Sequence, residues 1–305
     1  MLPQSDDETF VCVLSSMNLL HYDEWKDTDA VETLTMFLDS VVEESLSKLA
    51  NMSLDVEYDR YFLSRVEHFL AHHRALGLGV LGWHSYLQAK MIPFESRDAA
   101  KLNYEIFNKI KTKASLASVK MGEMFGVSPV AKVRRNTTLM AVAPTKSSSF
   151  ILGQVSQGIE PFMSNYFVKD VAKAKTVYKN PYLVQLLKEK GADTPDVWST
   201  ILAADGSVQH LDFLTEEEKA VFKTFAEINP ETIIDQASVR QEFIDQSQSL
   251  NLMIPPSMPV KEINSLYFRA WKLGVKSLYY QFSMSAAQEM AREKVMKGTC
   301  TACEG

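Results

Sequence analysis

Short apolar runs alternating with long helical stripes are the feature that most limits how this chain can fold. Residues 10–14, 137–143 and 275–280 are short and rich in β-branched and aromatic side chains, and each reads as a strand. Between them the apolar period becomes helical. From Val31, apolar residues recur at Leu34, Phe37, Leu38, Val41, Val42, Leu46 and Leu49, a single stripe that Asp27, Thr28 or Asp29 is placed to cap. A longer stripe over residues 99–124 turns Leu102, Ile106, Ile110, Ala114, Ala117 and Met121 inward. Further helices are expected over residues 61–75, 83–89, 182–190, from Leu214, and over 237–247 and 260–273. Thr215-Glu-Glu-Glu218 has the spacing of a capping box. The glycine-punctuated stretch Gly77-Leu-Gly-Val-Leu-Gly82 reads as a lead into the 83–89 helix, and the run after Ser149 as a helix up to Gly158. Strands interspersed with helices imply an α/β body.

Composition narrows the function. The 305 residues are 46 % hydrophobic and 23 % charged, enough to build a core. A net charge of -6 without a long basic run argues against nucleic acid as a partner. Neither a basic, apolar leader nor a bilayer-length apolar stretch is present, so a cytoplasmic location without a membrane partner is expected. After about Met296 bulky apolar residues become sparse. The expected organisation is therefore one body over residues 1–295 and a flexible tail over 296–305.

Three cysteines occur, Cys12, Cys300 and Cys303. The terminal Cys-x-x-Cys pair lacks the further ligands a structural zinc site needs, and thiols on a mobile tail suit disulfide exchange; an incidental tail is the alternative. Cys12 alone reads as a buried structural thiol. Pro144, Thr145, Lys146, Ser147, Ser148 and Ser149 stand between a strand and a helix. Such a loop can bind phosphate through backbone N–H groups and hydroxyls, or simply cap the helix. Tyr279 and Tyr280 read as strand aromatics on opposite faces. His68 and His72 are four apart on a helix, but without His-Glu-x-x-His no metal site is assigned.

In their order along the chain these elements resemble one family. Val11-Cys-Val-Leu-Ser-Ser-Met-Asn-Leu19, Arg135-Asn-Thr-Thr-Leu139, Pro144-Thr-Lys-Ser-Ser-Ser149, Gly158-Ile-Glu-Pro161, Gln246-Ser-Gln-Ser249, Gly274-Val-Lys-Ser-Leu-Tyr-Tyr-Gln281 and the terminal Cys-x-x-Cys are similar to motifs of class I ribonucleotide reductase large subunits, the T-even-like bacteriophage versions above all. The resemblance spans essentially the whole chain. It implies an α/β fold, the second half of a ten-stranded α/β barrel with additional helices and a flexible C-terminal tail. It also implies reduction of ribonucleoside diphosphates by thiyl-radical chemistry. Cys12 would be one of two thiols that reduce the substrate 2′-carbon, and residues 144–149 would hold the diphosphate. Tyr279 and Tyr280 would relay the radical, and Cys300 with Cys303 would re-reduce the internal disulfide.

No residue here matches the family's radical-bearing cysteine, its neighbouring carboxylate or the second reducing thiol, which lie upstream in the pattern. The resemblance therefore implies an N-terminal large-subunit fragment as partner and a split subunit. A small subunit would carry a di-iron/tyrosyl radical, thioredoxin or glutaredoxin would be the reductant, and no cofactor would sit on this chain. The location would be host cytoplasm for a phage protein. Lys146 stands where many relatives have an acidic residue. A non-catalytic remnant that only folds or binds nucleotide is the rival reading, and a stand-alone dithiol oxidoreductase comes third.

Overall fold

The computed structural model describes residues 5–11, 13–52, 57–171 and 174–283. Strand β1 (Val13–Asn18) runs through a 3-10 turn (Leu19–His21) and α1 (Tyr22–Trp25) into α2 (Ala30–Ala50) and α3 (Glu57–His73), and the chain returns as β2 (Leu76–Leu81). After α4 (Trp83–Ala89) and α5 (Arg97–Phe125) come the short α6 (Lys146–Ile151) and a hairpin, β3 (Tyr166–Val171) with β4 (Ala174–Lys179). Next are α7 (Pro181–Glu189), α8 (Pro195–Ala203), α9 (Glu216–Val221), α10 (Pro230–Gln241), β5 (Leu252–Met253), α11 (Val260–Lys272) and β6 (Gln281–Phe282).

Five stretches lie side by side in chain order and point the same way. β1 and β2 pair in parallel from Val13 opposite Leu76 to Asn18 opposite Leu81. Residues 138–142 continue beyond β2: Leu78 N donates to Leu139 O at 2.7 Å, and Ala141 N to Leu78 O at 3.1 Å. Residues 246–249 add next, with Gln246 N donating to Met140 O and Ser249 N to Val142 O. The outermost stretch is fastened by Tyr279 N donating to Leu250 O and by the parallel pair β5–β6. This is the five-stranded α/β half-barrel that the resemblance implies. Every residue of β2 is buried, as in a parallel sheet covered on both faces.

The glycines of β2 reflect a close approach rather than a turn. A Cβ at Gly79 would collide with the Ala141 carbonyl oxygen, and one at Gly77 with the Leu14 side chain. The stretch expected to be a connection is therefore a central strand. Other boundaries shift as well. The first strand starts at Val13 and continues through Ser15, Ser16 and Asn18, because pairing with β2 satisfies its backbone whatever the side chains. The helix expected over 237–247 is α10, which ends at Gln241 and frees residues 246–249 for the sheet. The helix after Ser149 stops at Ile151, where Gly153 and Gln154 take positive φ. In the last expected strand only the end at Tyr279 and Tyr280 bonds the neighbouring stretch through its backbone, Tyr279 N donating to Leu250 O and Tyr280 O accepting from Leu252 N, before β6 begins at Gln281. The tail 296–305 and all three cysteines lie outside the described residues.

Helix starts explain α8, which the apolar period does not announce, and the early beginning of α10 at Pro230. Thr194 caps α8 and Asn229 caps α10, each followed by proline at the first helical position, as Asn180-Pro181 does for α7. The capping box at Thr215 and Glu218 forms as expected. α7, α8 and α9 enclose a second, smaller apolar core around Leu183, Leu187, Trp198, Ile201 and Phe222. The main core lies between the sheet and α2, α5 and α10.

One buried ion cluster fastens the helices to the sheet. Asp39 of α2 accepts from Arg74 Nε at 2.9 Å, Arg135 Nε at 2.6 Å and Asn136 Nδ2 at 2.8 Å, while Ser118 Oγ of α5 donates to Asn136 Oδ1. Burial pushes the Asp39 carboxyl up, but the two guanidinium groups outweigh it and hold it below the usual range. Arg135 and Asn136, part of the resemblance, are thus structural. Replacing Asp39 with alanine strands two nearly buried cations, leaving only the more exposed Glu43 beside them. Asp39→Ala is expected to lower stability by about 3 kcal/mol, read from urea denaturation midpoints at unchanged slope.

Candidate functional site

A cavity of about 330 Å³ opens on the sheet and gathers several residues singled out by the sequence. Phe10 and Leu14, two residues on either side of Cys12, line it together with Pro144, Ser249 and Tyr279. Both Phe10 and Leu14 remain substantially exposed, at 47 % and 42 %, although Leu14 belongs to the sheet that elsewhere forms the core. Cys12 itself lies outside the described residues, as do Cys300 and Cys303.

The loop from Pro144 to Ser149 is held from behind. Thr145 is buried and its Oγ1 accepts from Gly158 N at 2.8 Å, so this hydroxyl anchors the loop to the Gly158-Ile-Glu-Pro161 turn and does not cap α6. The same turn is tied to the end of β2, because Gly82 N donates to Ser156 O and Trp83 N to Gly158 O. Lys146, Ser147 and Ser148 are exposed, whereas Ser149 is buried. The loop therefore presents its first α6 turn outward on a backbone fixed at both ends.

Tyr279 and Tyr280 do not point to opposite faces. Their ring centroids are 4.2 Å apart at an interplanar angle of 59°, and their hydrogen bond raises the Tyr279 hydroxyl above the ordinary tyrosine range. The chain here is irregular just before β6, so the strict alternation of a strand does not apply. A polar link joins this pair to the loop: Glu160 Oε1 accepts from Asn251 Nδ2 at 2.6 Å, and Asn251 Oδ1 accepts from Tyr280 N at 2.8 Å. Burial drives the Glu160 carboxyl up to about 7, against the pull of the Asn251 hydrogen bond and the nearby Lys146 charge. Lys146, Ser149 and Glu160 share a second cavity, of about 120 Å³, behind the loop.

Two contributions were not legible in the sequence. In Gln246-Ser-Gln-Ser249, Gln246 Nε2 donates to Leu76 O and Thr138 Oγ1, and Gln248 bridges Arg240, Ala237 and Gln241, so both glutamines are structural. Ser249 differs: its Oγ is buried without a hydrogen-bond partner while its residue lines the cavity. An unpaired buried hydroxyl facing a cavity is a ready contact for a polar ligand. Asn251 is the second, and only the tertiary structure connects it to Glu160. His84 is a core residue instead: burial pulls it down to about 3, and its neutral Nδ1 accepts from Phe162 N.

The family model "Ribonucleotide reductase, barrel domain" matches residues 1–134 and 130–281. The ribonucleoside-diphosphate reductase large subunit of Invertebrate iridescent virus 6 is 41 % identical over 92 % of this chain and 29 % of its own length. The large subunit of Invertebrate iridescent virus 3 is 35 % identical over 100 % of this chain and 49 % of its own length. Among solved structures, the Actinobacillus ureae class Id ribonucleotide reductase alpha subunit superposes with a TM-score of 0.85 at 54 % identity, covering 94 % of this chain and 52 % of that one. The chain thus spans about half, or less, of the length of these relatives.

Because the folded state keeps the Glu160 proton where an unfolded chain has lost it, this group stabilises the fold fully below the ordinary carboxylate range, and that stabilisation is lost as pH rises through about 7. Between about pH 5 and about pH 8 the chain is expected to lose on the order of 2 to 3 kcal/mol from this source. Glu160→Gln should flatten that slope in urea denaturation at constant ionic strength, while an unchanged slope would assign the pH dependence elsewhere.

Proposed function

The chain belongs to the ribonucleotide reductase barrel family, and on that premise we propose that it forms the C-terminal, substrate-holding part of a ribonucleoside-diphosphate reductase large subunit. The observation that carries the reading is the single cavity on which the segment around Cys12, the Pro144 loop, the free Ser249 hydroxyl and Tyr279 converge. A phosphate-binding loop, a redox thiol segment and an oxidisable tyrosine pair have one shared use in this family, and the reading is supported by Pro144, Phe10, Leu14 and Tyr279 lining the same cavity.

In this reading Thr145 anchors the loop while Lys146, Ser147, Ser148 and the outward backbone N–H groups receive the substrate diphosphate. A thiyl radical on an N-terminal large-subunit portion removes the 3′-hydrogen. The 2′-hydroxyl leaves as water, and Cys12 with a thiol of that portion supplies two electrons and becomes a disulfide. Tyr280 and Tyr279, ring against ring, relay the oxidising equivalent from a small subunit, which holds the di-iron/tyrosyl radical cofactor. Cys300 and Cys303 return the disulfide to dithiol at the expense of thioredoxin or glutaredoxin, by thiolate exchange.

The N-terminal portion covers the half-exposed Phe10 and Leu14 and completes the barrel; in the split-subunit form of the reading it is a separate partner chain. A T-even-like phage source and a place in the host cytoplasm belong to the same reading.

In a complex reconstituted with that portion and a small subunit, Tyr279→Phe and Tyr280→Phe should each abolish turnover while leaving folding and substrate binding intact. Near-normal deoxynucleotide formation by either variant would remove the relay role. Retained nucleotide binding without turnover in the unaltered complex would favour the remnant reading. Ser249→Ala, which removes an unpartnered hydroxyl, should leave stability unchanged or slightly raised and weaken substrate binding by about five-fold, the worth of one neutral hydrogen bond. Unchanged affinity would place the substrate out of reach of Ser249.

A further inference from the structure

The last two turns of α3 carry His68, His72 and His73, and the segment that precedes β1 folds back on them. Thr9 N donates to Arg65 O at 3.2 Å, and Arg65 Nη2 donates to Ser5 O at 2.7 Å, so residues 5–9 run against the helix. This brings in Glu8, sixty residues away in sequence. One donor atom each from Glu8, His68 and His72 lies within 4.8 Å of the other two. The sequence assigned no metal site to these histidines because His-Glu-x-x-His is absent; the fold brings a carboxylate to them from outside the helix.

The donors are already arranged for coordination. His72 Nδ1 is 2.8 Å from the His68 carbonyl oxygen. A carbonyl only accepts, so Nδ1 carries the proton and Nε2 keeps its lone pair, the tautomer fixing that metal-binding histidines show. The His68 and His72 rings are 3.9 Å apart, and His68 Nδ1 is 3.4 Å from Glu8 Oε1. Zinc–ligand bonds of about 2.0 to 2.1 Å in a tetrahedron need donor separations of roughly 3.4 Å, so little closing movement is required. The other Glu8 oxygen is 3.1 Å from His73 Nε2. His73 is buried and stacked on Phe69 at 4.6 Å, so it orients the carboxylate from behind without competing for the ion.

We propose that Glu8, His68 and His72 form a binding site for a divalent transition cation of the zinc class, with His73 as the positioning residue and an open fourth position for water. Nitrogen and carboxylate donors in this number and geometry select zinc, cobalt or nickel over magnesium or calcium, which require all-oxygen shells. The ion clasps the segment that leads into Cys12 onto α3. The helix is in turn tied to the sheet, because Thr137 N and Oγ1 both donate to His73 O. The site is therefore a strap on the edge of the half-barrel, independent of any role in turnover.

The test titrates the tag-free full chain, thiols reduced, with Co²⁺ and with Zn²⁺. One equivalent of Co²⁺ should give the weak visible bands of a nitrogen and oxygen site without a thiolate charge-transfer band, and Zn²⁺ should displace it and raise the melting temperature. His72→Ala and Glu8→Gln, both at partly exposed positions, should abolish the visible signal and the thermal shift while the metal-free melting temperature stays close to that of the parent. His73→Phe, which keeps the stacking on Phe69, should weaken binding by about ten-fold. No stoichiometric binding, binding undiminished in His72→Ala and Glu8→Gln, or a spectrum dominated by thiolate charge transfer would each overturn the assignment and leave a hydrogen-bonded histidine cluster.

Discussion

Parallel pairing is the constraint from which the rest of this structure follows. Parallel neighbours cannot be joined by a tight turn, so each step across the sheet requires a crossover long enough to travel back along the strand. α2 and α3 provide the first crossover, α4 and α5 the second, the long excursion from α6 to α10 the third, and α11 the last. The crossovers cover the outer side and build the main core, and they leave the other side of the sheet lined by Phe10, Leu14 and the Pro144 loop. The position of the cavity is a consequence of that asymmetry. Close strand approach at Gly77 and Gly79 and the charge cluster around Asp39 then hold the layers at a fixed distance.

Within the cavity, position comes from backbone anchoring more than from the side chains that face a ligand. The Thr145 hydroxyl oxygen accepts from Gly158 N, and the Gly158 turn is itself bonded to the start of α4. Tyr280 is reached from the same turn through Glu160 and Asn251. A change at Glu160 therefore bears on both the loop and the tyrosine pair, although it contacts neither the Tyr279 ring nor the exposed serines directly. The carboxyl at the centre of this link sits near neutrality, which makes the link itself sensitive to pH.

Several motifs carried by the family resemblance divide, once folded, into supports and contacts. Arg135 and Asn136 support the helices, Gln246 and Gln248 support the strands, and Gly158 supports the loop. Pro144, Ser249 and Tyr279 face the cavity. Motif membership alone does not separate the two groups; hydrogen-bond saturation does, since the glutamines have their amide groups fully engaged while the Ser249 hydroxyl has no partner.

The sequence by itself determined the α/β class, the long helices α2, α5 and α11, the capping box at Thr215, and the family resemblance with its ordered motifs, because periodicity and local capping are properties of neighbouring residues. The Thr-Pro start of α8 and the Asn-Pro start of α10 were also present in it, as signals that the weaker apolar stripes obscured. Only the tertiary structure decided that the glycine stretch 77–82 contains a central strand, that residues 246–249 leave the helix for the sheet, and that the two tyrosine rings meet. It alone joined Glu160 to Asn251 and brought Glu8 to His68 and His72. Apart from the adjacent tyrosines, whose meeting depends on the irregular backbone before β6, these facts depend on pairs separated by tens of residues. For them, the choice between strand and loop, or between partner and solvent, is made by backbone hydrogen bonds and packing across the sheet, which no local window of sequence contains.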